Sequence, residues 1–302
     1  MTIINSIFPT FIIIAIGYLL KSRNFITETV DNFINGIAYY LILPCIIFSS
    51  IVKMPFKEVF NLPAIAGLYV TVVVTFILSL FISGFFKDSK RGCMTICAFR
   101  SNTAYIGFPI IFSLYGARGL GKLSFLTGFL VVFVVSIVVI YLNIISKRRK
   151  ENILPFVLKD PLIITSVVSL LFSYFNLKLP VFINNTIEML STMGSPLMLI
   201  AVGSGLKINT IKADKIAIII VTILKLILMP LIAYLIFKYV IILDNTENFN
   251  IAVLTVALPT ALSNYVLIKK FDGDTELCSA LITITTILSF FTISGWVAIL
   301  IH

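Results

Sequence analysis

The chain has 302 residues, 59% of them hydrophobic and only 12% charged, with a net charge of +10. A soluble domain is nearer half apolar and a quarter charged, so a mean hydropathy of +1.10 requires lipid to shield the excess. The basic charge does not indicate nucleic acid, because it falls in short loops between apolar runs, where it sets topology instead of recruiting a polyanion.

The first apolar run, Ile3 to Leu20, is about one bilayer thickness as a helix. It lacks the charged leader and small-residue cleavage site of a signal peptide and reads as a retained span. Windows of about 20 apolar residues predict ten spans, at roughly 3–20, 33–52, 62–86, 92–115, 123–145, 161–176, 182–203, 216–242, 249–268 and 277–301. The sixth is the shortest and begins at Pro161, a good first helical position behind Asp160.

Fifteen lysines and arginines follow the odd-numbered spans, and six follow the even-numbered ones when Lys238 at the end of span eight is included. The basic-rich side is expected to be cytoplasmic, which places both termini outside the cell in a multi-pass plasma-membrane protein. The strongest cue is Lys147-Arg148-Arg149-Lys150, in a cytoplasmic loop over 147–160. That loop separates 1–146 from 161–302, five spans each, and an odd number per half is the arithmetic of an inverted repeat. Span two carries Pro44 and span seven Pro196, while spans four and nine are both interrupted.

Those two interruptions carry the chemistry. Arg100-Ser101-Asn102-Thr103-Ala104-Tyr105-Ile106-Gly107-Phe108-Pro109 places a cation, an amide, hydroxyls, a glycine and a proline inside an apolar span. Leu258-Pro259-Thr260-Ala261-Leu262-Ser263-Asn264 repeats the theme in the second half. Gly107, Pro109 and Pro259 break helix, and non-helical backbone at membrane depth survives only where protein packs it or it lines a watery cavity. A broken helix frees N–H groups on one half, suited to a carboxylate, and carbonyls on the other, suited to a cation. Paired breaks in corresponding spans are the best sequence pointer to a transporter site. The expected substrate shell is Ser101, Asn102, Thr103, Tyr105, Thr260, Ser263 and Asn264, with Arg100 as a complement to an anion. Simple kinks whose polar neighbours re-pair the backbone are the bland alternative.

Glu188 in span seven is the lone acid well inside an apolar run and Lys225 in span eight the matching cation away from the breaks, hence coupling candidates or a structural pair. Cys45, Cys93, Cys97 and Cys278 read as buried free thiols; Cys93 and Cys97 are four apart on a helix with no other soft ligand in view. The sole histidine is His302, so neither a zinc motif nor a Ser-His-Asp triad can be assembled, and no metal or other cofactor is expected. Phosphate-binding glycine loops are missing, so the energy source would be an ion gradient or the substrate's own gradient.

The stretch Ser101-Asn102-Thr103-Ala104-Tyr105-Ile106-Gly107-Phe108-Pro109 with Tyr115-Gly116, and Ala257-Leu258-Pro259-Thr260-Ala261 with Asn264-Tyr265-Val266-Leu267, resemble the auxin efflux carrier family. Phe8-Pro9, Ile16-Gly17-Tyr18-Leu19-Leu20-Lys21 and Leu43-Pro44 with Ile47-Phe48 fit it too, so the resemblance covers essentially the whole chain. It implies an all-α membrane protein of ten helices in two inverted repeats, with broken helices four and nine crossing near the midplane. It further implies a scaffold of helices one, two, six and seven, and a transport unit of helices three, four, five, eight, nine and ten that slides in an elevator-type cycle. By the same resemblance Asn102 contacts the carboxylate of a small organic anion, auxin-like or malate- or malonate-like. H+ or Na+ would be the coupling ion, membrane lipids the surroundings, and a homodimer a permitted assembly. Span three contains no acidic residue to carry coupling through that helix. A sodium-coupled carrier of the bile-acid type is the runner-up; a channel lacks its polar stripes, and an intramembrane enzyme lacks its catalytic constellation.

Overall fold

The computed structural model describes residues 2–146, 152, 154, 158–212, 214–243 and 245–301. Most of the basic loop 147–160, including Lys147 to Lys150, and His302 lie outside them. The helices in chain order are α1 (Thr2–Ser22), α2 (Glu28–Val52), α3 (Leu62–Ser83), α4 (Asp88–Phe99) and α5 (Thr103–Ile145). They continue with α6 (Pro161–Tyr174), α7 (Val181–Ser204), α8 (Lys215–Tyr239), α9 (Thr246–Ala257), α10 (Asn264–Lys270) and α11 (Thr275–Ile301). Among the described residues no β-strand forms, only one isolated β-bridge. Among the described residues seven helices, with α5 counted as one, are long and apolar enough to cross a membrane, namely α1, α2, α3, α5, α7, α8 and α11; α6 is a shorter apolar one.

The predicted fourth and ninth spans are each two helices separated by extended backbone, α4 and the start of α5, and α9 and α10. The fourth and fifth spans meet inside α5 at Gly116, whose φ of 63° and ψ of −158° are non-helical and suit glycine alone, so α5 is two helices joined at a sharp break. Asp160 caps α6 as its sequence predicts, its carboxylate accepting from the N–H groups of Leu162 and Ile163 ahead of the helix.

Three π-helical turns share one local cause. Ala38–Ile42 precedes Pro44, Thr103–Gly107 precedes Pro109, and Leu224–Leu228 precedes Pro230. A proline lacks the N–H that would close the preceding turn, and its ring clashes with the carbonyl four residues back. Widening that turn relieves the clash without ending the helix. Lys225 lies in the third of these turns, so Pro230 shapes the backbone that presents it.

The chain divides into two compact units. The first comprises Met1–Leu62, Ala104–Val132 and Phe156–Gly205, and thus holds α1, α2, α6, α7 and the first part of α5. In it α1 and α7 touch backbone to backbone at two glycines. A Cβ on Gly17 would stand 2.4 Å from the Ile200 carbonyl oxygen, and one on Gly203 would stand 2.0 Å from that of Ile14. Small residues that allow such close approach are a general basis of helix association in lipid, where apolar burial alone discriminates little. Ser50 and Ser124 add a buried hydroxyl contact of 3.0 Å between α2 and α5.

The second unit comprises Pro63–Thr103, Phe133–Pro155 and Leu206–His302. Its core includes an aromatic cluster in which Phe76 of α3 packs edge-on against Phe99 and Tyr141, while Tyr69 stacks on Phe133 at 4.0 Å. At one end Lys90 and Asp214 form an ion pair of 2.7 Å. Both helix breaks meet in this unit.

Candidate functional site

After α4 the backbone of Arg100 turns extended, with φ −89° and ψ 114°. After α9 Leu258 does the same, with φ −68° and ψ 154°, because the residue before a proline is sterically driven out of the helical region. The two extended pieces lie antiparallel, with Ser101 opposite Thr260. The Asn102 N–H donates to the Pro259 carbonyl at 2.8 Å, and the Ala261 N–H donates to the Arg100 carbonyl at 3.0 Å. The Thr260 N–H donates to Thr285 Oγ1 of α11 at 3.3 Å, and Pro259 has no N–H to satisfy. Backbone groups released by the breaks are thereby paired inside the protein, the condition for unwound chain in an apolar surround.

Side chains fasten this crossing. Asn264, the first residue of α10, is fully buried. Its Oδ1 accepts from the Arg100 guanidinium at 2.9 Å, and its Nδ2 donates to Thr260 Oγ1 at 2.9 Å and to Cys97 Sγ at 3.7 Å. Lys225 is also fully buried. Its Nζ donates to Ser101 Oγ at 2.6 Å, to the Val256 carbonyl at 3.1 Å and to Met229 Sδ at 3.1 Å. Val256 is in the last turn of α9, where carbonyls have no intrahelical partner and the dipole attracts a cation. The ion pairs among the described residues do not include Lys225.

Asn102 differs. It is only 5% exposed, yet its side chain makes no hydrogen bond among the described residues. Unlike the fully enclosed, unpaired oxygens of Asn250 and Thr286, its amide keeps a small exposed area. A buried, unpaired and still reachable amide is an open donor and acceptor. The same crossing of extended backbone carries Arg100, Ser101 and Thr260, while the Thr103 hydroxyl turns back to the Ser101 carbonyl at 3.4 Å.

The remaining residues singled out from sequence stand elsewhere. Ser263 is exposed just ahead of α10. In the first unit, the Tyr105 hydroxyl donates to the Asn35 carbonyl at 3.5 Å. Gly107 ends the π-turn of α5, and Pro109 follows it. Glu188, partly exposed on α7, pairs with Lys53 at 2.8 Å and accepts from Asn184 at 2.8 Å, both in the first unit. Two features escaped the sequence reading. Cys278 joins Cys93 and Cys97, with all three sulfurs within 4.8 Å of one another. Asp31, near the start of α2, accepts from Ser204 at 2.6 Å and faces Lys21 at 3.9 Å, a cluster too distant in sequence to foresee.

Comparison with known proteins agrees with this architecture. The family model described as membrane transport protein matches residues 2–156 and 153–297. An uncharacterized transporter of Methanocaldococcus jannaschii is 27% identical, with 96% of each chain covered. An uncharacterized transporter of Methanothermobacter thermautotrophicus is 25% identical, with 98% of each covered. The lysosomal cholesterol signaling protein of Mus musculus is 24% identical over 97% of this chain but 37% of its own length. With the family model spanning nearly the whole chain and apolar helices throughout, the chain is a multi-pass membrane transport protein and belongs to the auxin efflux carrier family.

Proposed function

We propose that the protein is a secondary transporter of a small organic anion, a carboxylate of the auxin or malate and malonate kind, working by elevator-type alternating access. The observation that carries this reading is the unpaired Asn102 amide at a crossing of two helix breaks that also holds the cation of Arg100 and the hydroxyl of Ser101. A carboxylate there would accept from the Asn102 Nδ2 and gain from the positive charge, while the buried frame holds the donors in place. Thr260 and Asn264 position this shell, and Tyr105, whose hydroxyl already has a partner, is left out of it.

The domain reading goes with this proposal. Ten helices in two inverted repeats, 1–146 and 161–302, would supply a scaffold of helices one, two, six and seven and a transport unit of the other six. The two compact units support that division in part: the first gathers α1, α2, α6 and α7 and the second holds the two crossing segments with α3, α8 and α11, but 104–132, which belongs to helices four and five, falls in the first. The plasma membrane with both termini outside remains the reading of the loop charges.

The sodium-coupled alternative meets a specific obstacle. The carbonyl end of the second break is where a bound cation would sit, and the Lys225 ammonium is already there, on a carbonyl, a hydroxyl and a thioether. An internal ammonium in that position favours coupling through H+, with Lys225 as the responding group, over coupling through Na+. Glu188, in an exposed ion pair, is not needed.

The test is uptake of labelled malate, malonate and indole acetate by the purified protein in liposomes, under a proton gradient, a sodium gradient or neither, beside Asn102→Ala. Carboxylate flux driven by the proton gradient and lost in the variant is expected. Flux indifferent to Asn102→Ala would remove that residue from the site, and flux requiring sodium would establish the alternative.

A further inference from the structure

We propose that Cys93, Cys97 and Cys278 form a binding site for a soft, thiophilic cation, Cu(I). The three side chains come from two helices of one compact unit, Cys93 and Cys97 one turn apart on α4 and Cys278 in the first turns of α11. All three are fully buried, and each presents its sulfur to the others within 4.8 Å. Cys97 and Cys278 stand 3.8 Å apart, sulfur to sulfur. A metal–thiolate bond of about 2.3 Å places sulfurs that share one three-coordinate ion about 4 Å apart. The cluster thus needs side-chain adjustments of under about 1 Å to close on an ion.

The donor set selects the metal. Three sulfurs with no oxygen or nitrogen ligand suit a soft ion. Structural zinc sites are almost always four-coordinate, and the described residues place no fourth carboxylate, cysteine or histidine in the cluster. Monovalent copper, a closed-shell ion, is content with three sulfurs in a plane and needs no water. The surroundings supply what a metal–thiolate centre lacks on its own. The Asn264 amide donates to Cys97 Sγ, as outer ligands of metal sites do to fix a sulfur's orientation. Asn264 is in turn held by Arg100, whose positive charge opposes the excess negative charge of thiolates around a monovalent ion. Cys278 lies at the positive end of the α11 dipole, where negative charge is stabilised. Binding would displace thiol protons to solvent. The loaded ion would clip α4 to α11 immediately before the first break, whichever substrate the carrier takes.

The experiment uses the full chain, purified in detergent under anaerobic, reducing conditions. Cu(I) is presented with an excess of a colorimetric Cu(I) chelator, and Zn(II) is run as a parallel arm. The native protein and Cys45→Ser are expected to retain one Cu(I) per chain, whereas Cys97→Ser and Cys278→Ser retain roughly a tenth as much or less, since losing even an outer-shell partner costs about tenfold or more and a direct ligand counts for more. X-ray absorption of the native complex should show a shell of three sulfurs only. Failure of the native protein to retain Cu(I), equal loss in Cys45→Ser, or nitrogen and oxygen in the shell would each overturn the proposal. The absorption spectrum decides even where a cysteine variant does not fold. Tighter retention of Zn(II) than of Cu(I) would overturn the choice of metal.

Discussion

At the first helix break Asn102 is buried with its amide unengaged, whereas at the second Asn264 is buried with both ends of its amide committed. The sequence gives these breaks much the same equipment: an asparagine, hydroxyls and a helix-breaking proline. Their placement separates the roles. Asn264 joins Arg100, Thr260 and Cys97, so it is part of the frame; a bond to a charged donor contributes on the order of 1.5–3 kcal/mol. Asn102 contributes only its backbone N–H to that frame and leaves the side chain for a ligand. One asparagine builds the crossing and the other uses it.

The largest expected effect comes from breaking the frame. Asn264→Ala removes one acceptor of the half-buried Arg100 guanidinium together with two further contacts of its own buried amide, and we expect a loss of about 2–4 kcal/mol, read as a lower melting temperature in detergent. Flux should fall with it. Asn102→Ala should do the reverse, with stability within about 1 kcal/mol of native and carboxylate flux down roughly tenfold or more. If both variants melt alike, the division of labour between the two asparagines is wrong.

Lys225→Met sharpens the comparison from the side of charge. Replacing a buried cation by an apolar chain of similar length is often neutral or mildly stabilising. We therefore expect a change in melting temperature smaller than that of Asn264→Ala, with flux no longer responsive to the proton gradient. A variant that keeps native proton dependence would remove Lys225 from coupling.

The smallest effect lies at the exposed end of the second unit. The Lys90 hydrogen bond, aided by backbone N–H groups of Ala217 and Ile216, holds the Asp214 carboxyl below its usual range. The same partner raises Lys90 above its own. The Asp214 contribution is present above the ordinary carboxylate range and is lost as pH falls through its depressed value; that of Lys90 is lost only as pH rises past the usual lysine range. Asp214→Asn should thus flatten the acid limb of the melting-temperature profile by about 1–2 °C, since exposed pairs are weak. A flattening confined to alkaline pH would show the sign to be wrong.

Much of this architecture was legible because its causes are local. Long apolar runs could only be membrane helices, Asp160-Pro161 could only open one, and Pro259 forces Leu258 out of helix whatever surrounds it. Pro230 was passed over, because a proline inside an apolar run signals a kink without saying which residue the widened turn will present. Glu188 and Lys225 invite a coupling role or a mutual pair, and the fold gives each its own partners.

The sequence by itself determined that the chain lives in a membrane, where its helices break and which polar residues accompany the breaks, since composition and backbone sterics act over a few residues. Only the tertiary structure decided which asparagine is locked and which is open, that Lys225 caps the end of α9, and that Cys278 completes a set begun on α4. Arg100 and Asn264 are 164 positions apart. Hydrogen bonds and sulfur contacts act over a few ångströms, and no periodicity in the chain encodes which distant atoms will fall within that reach.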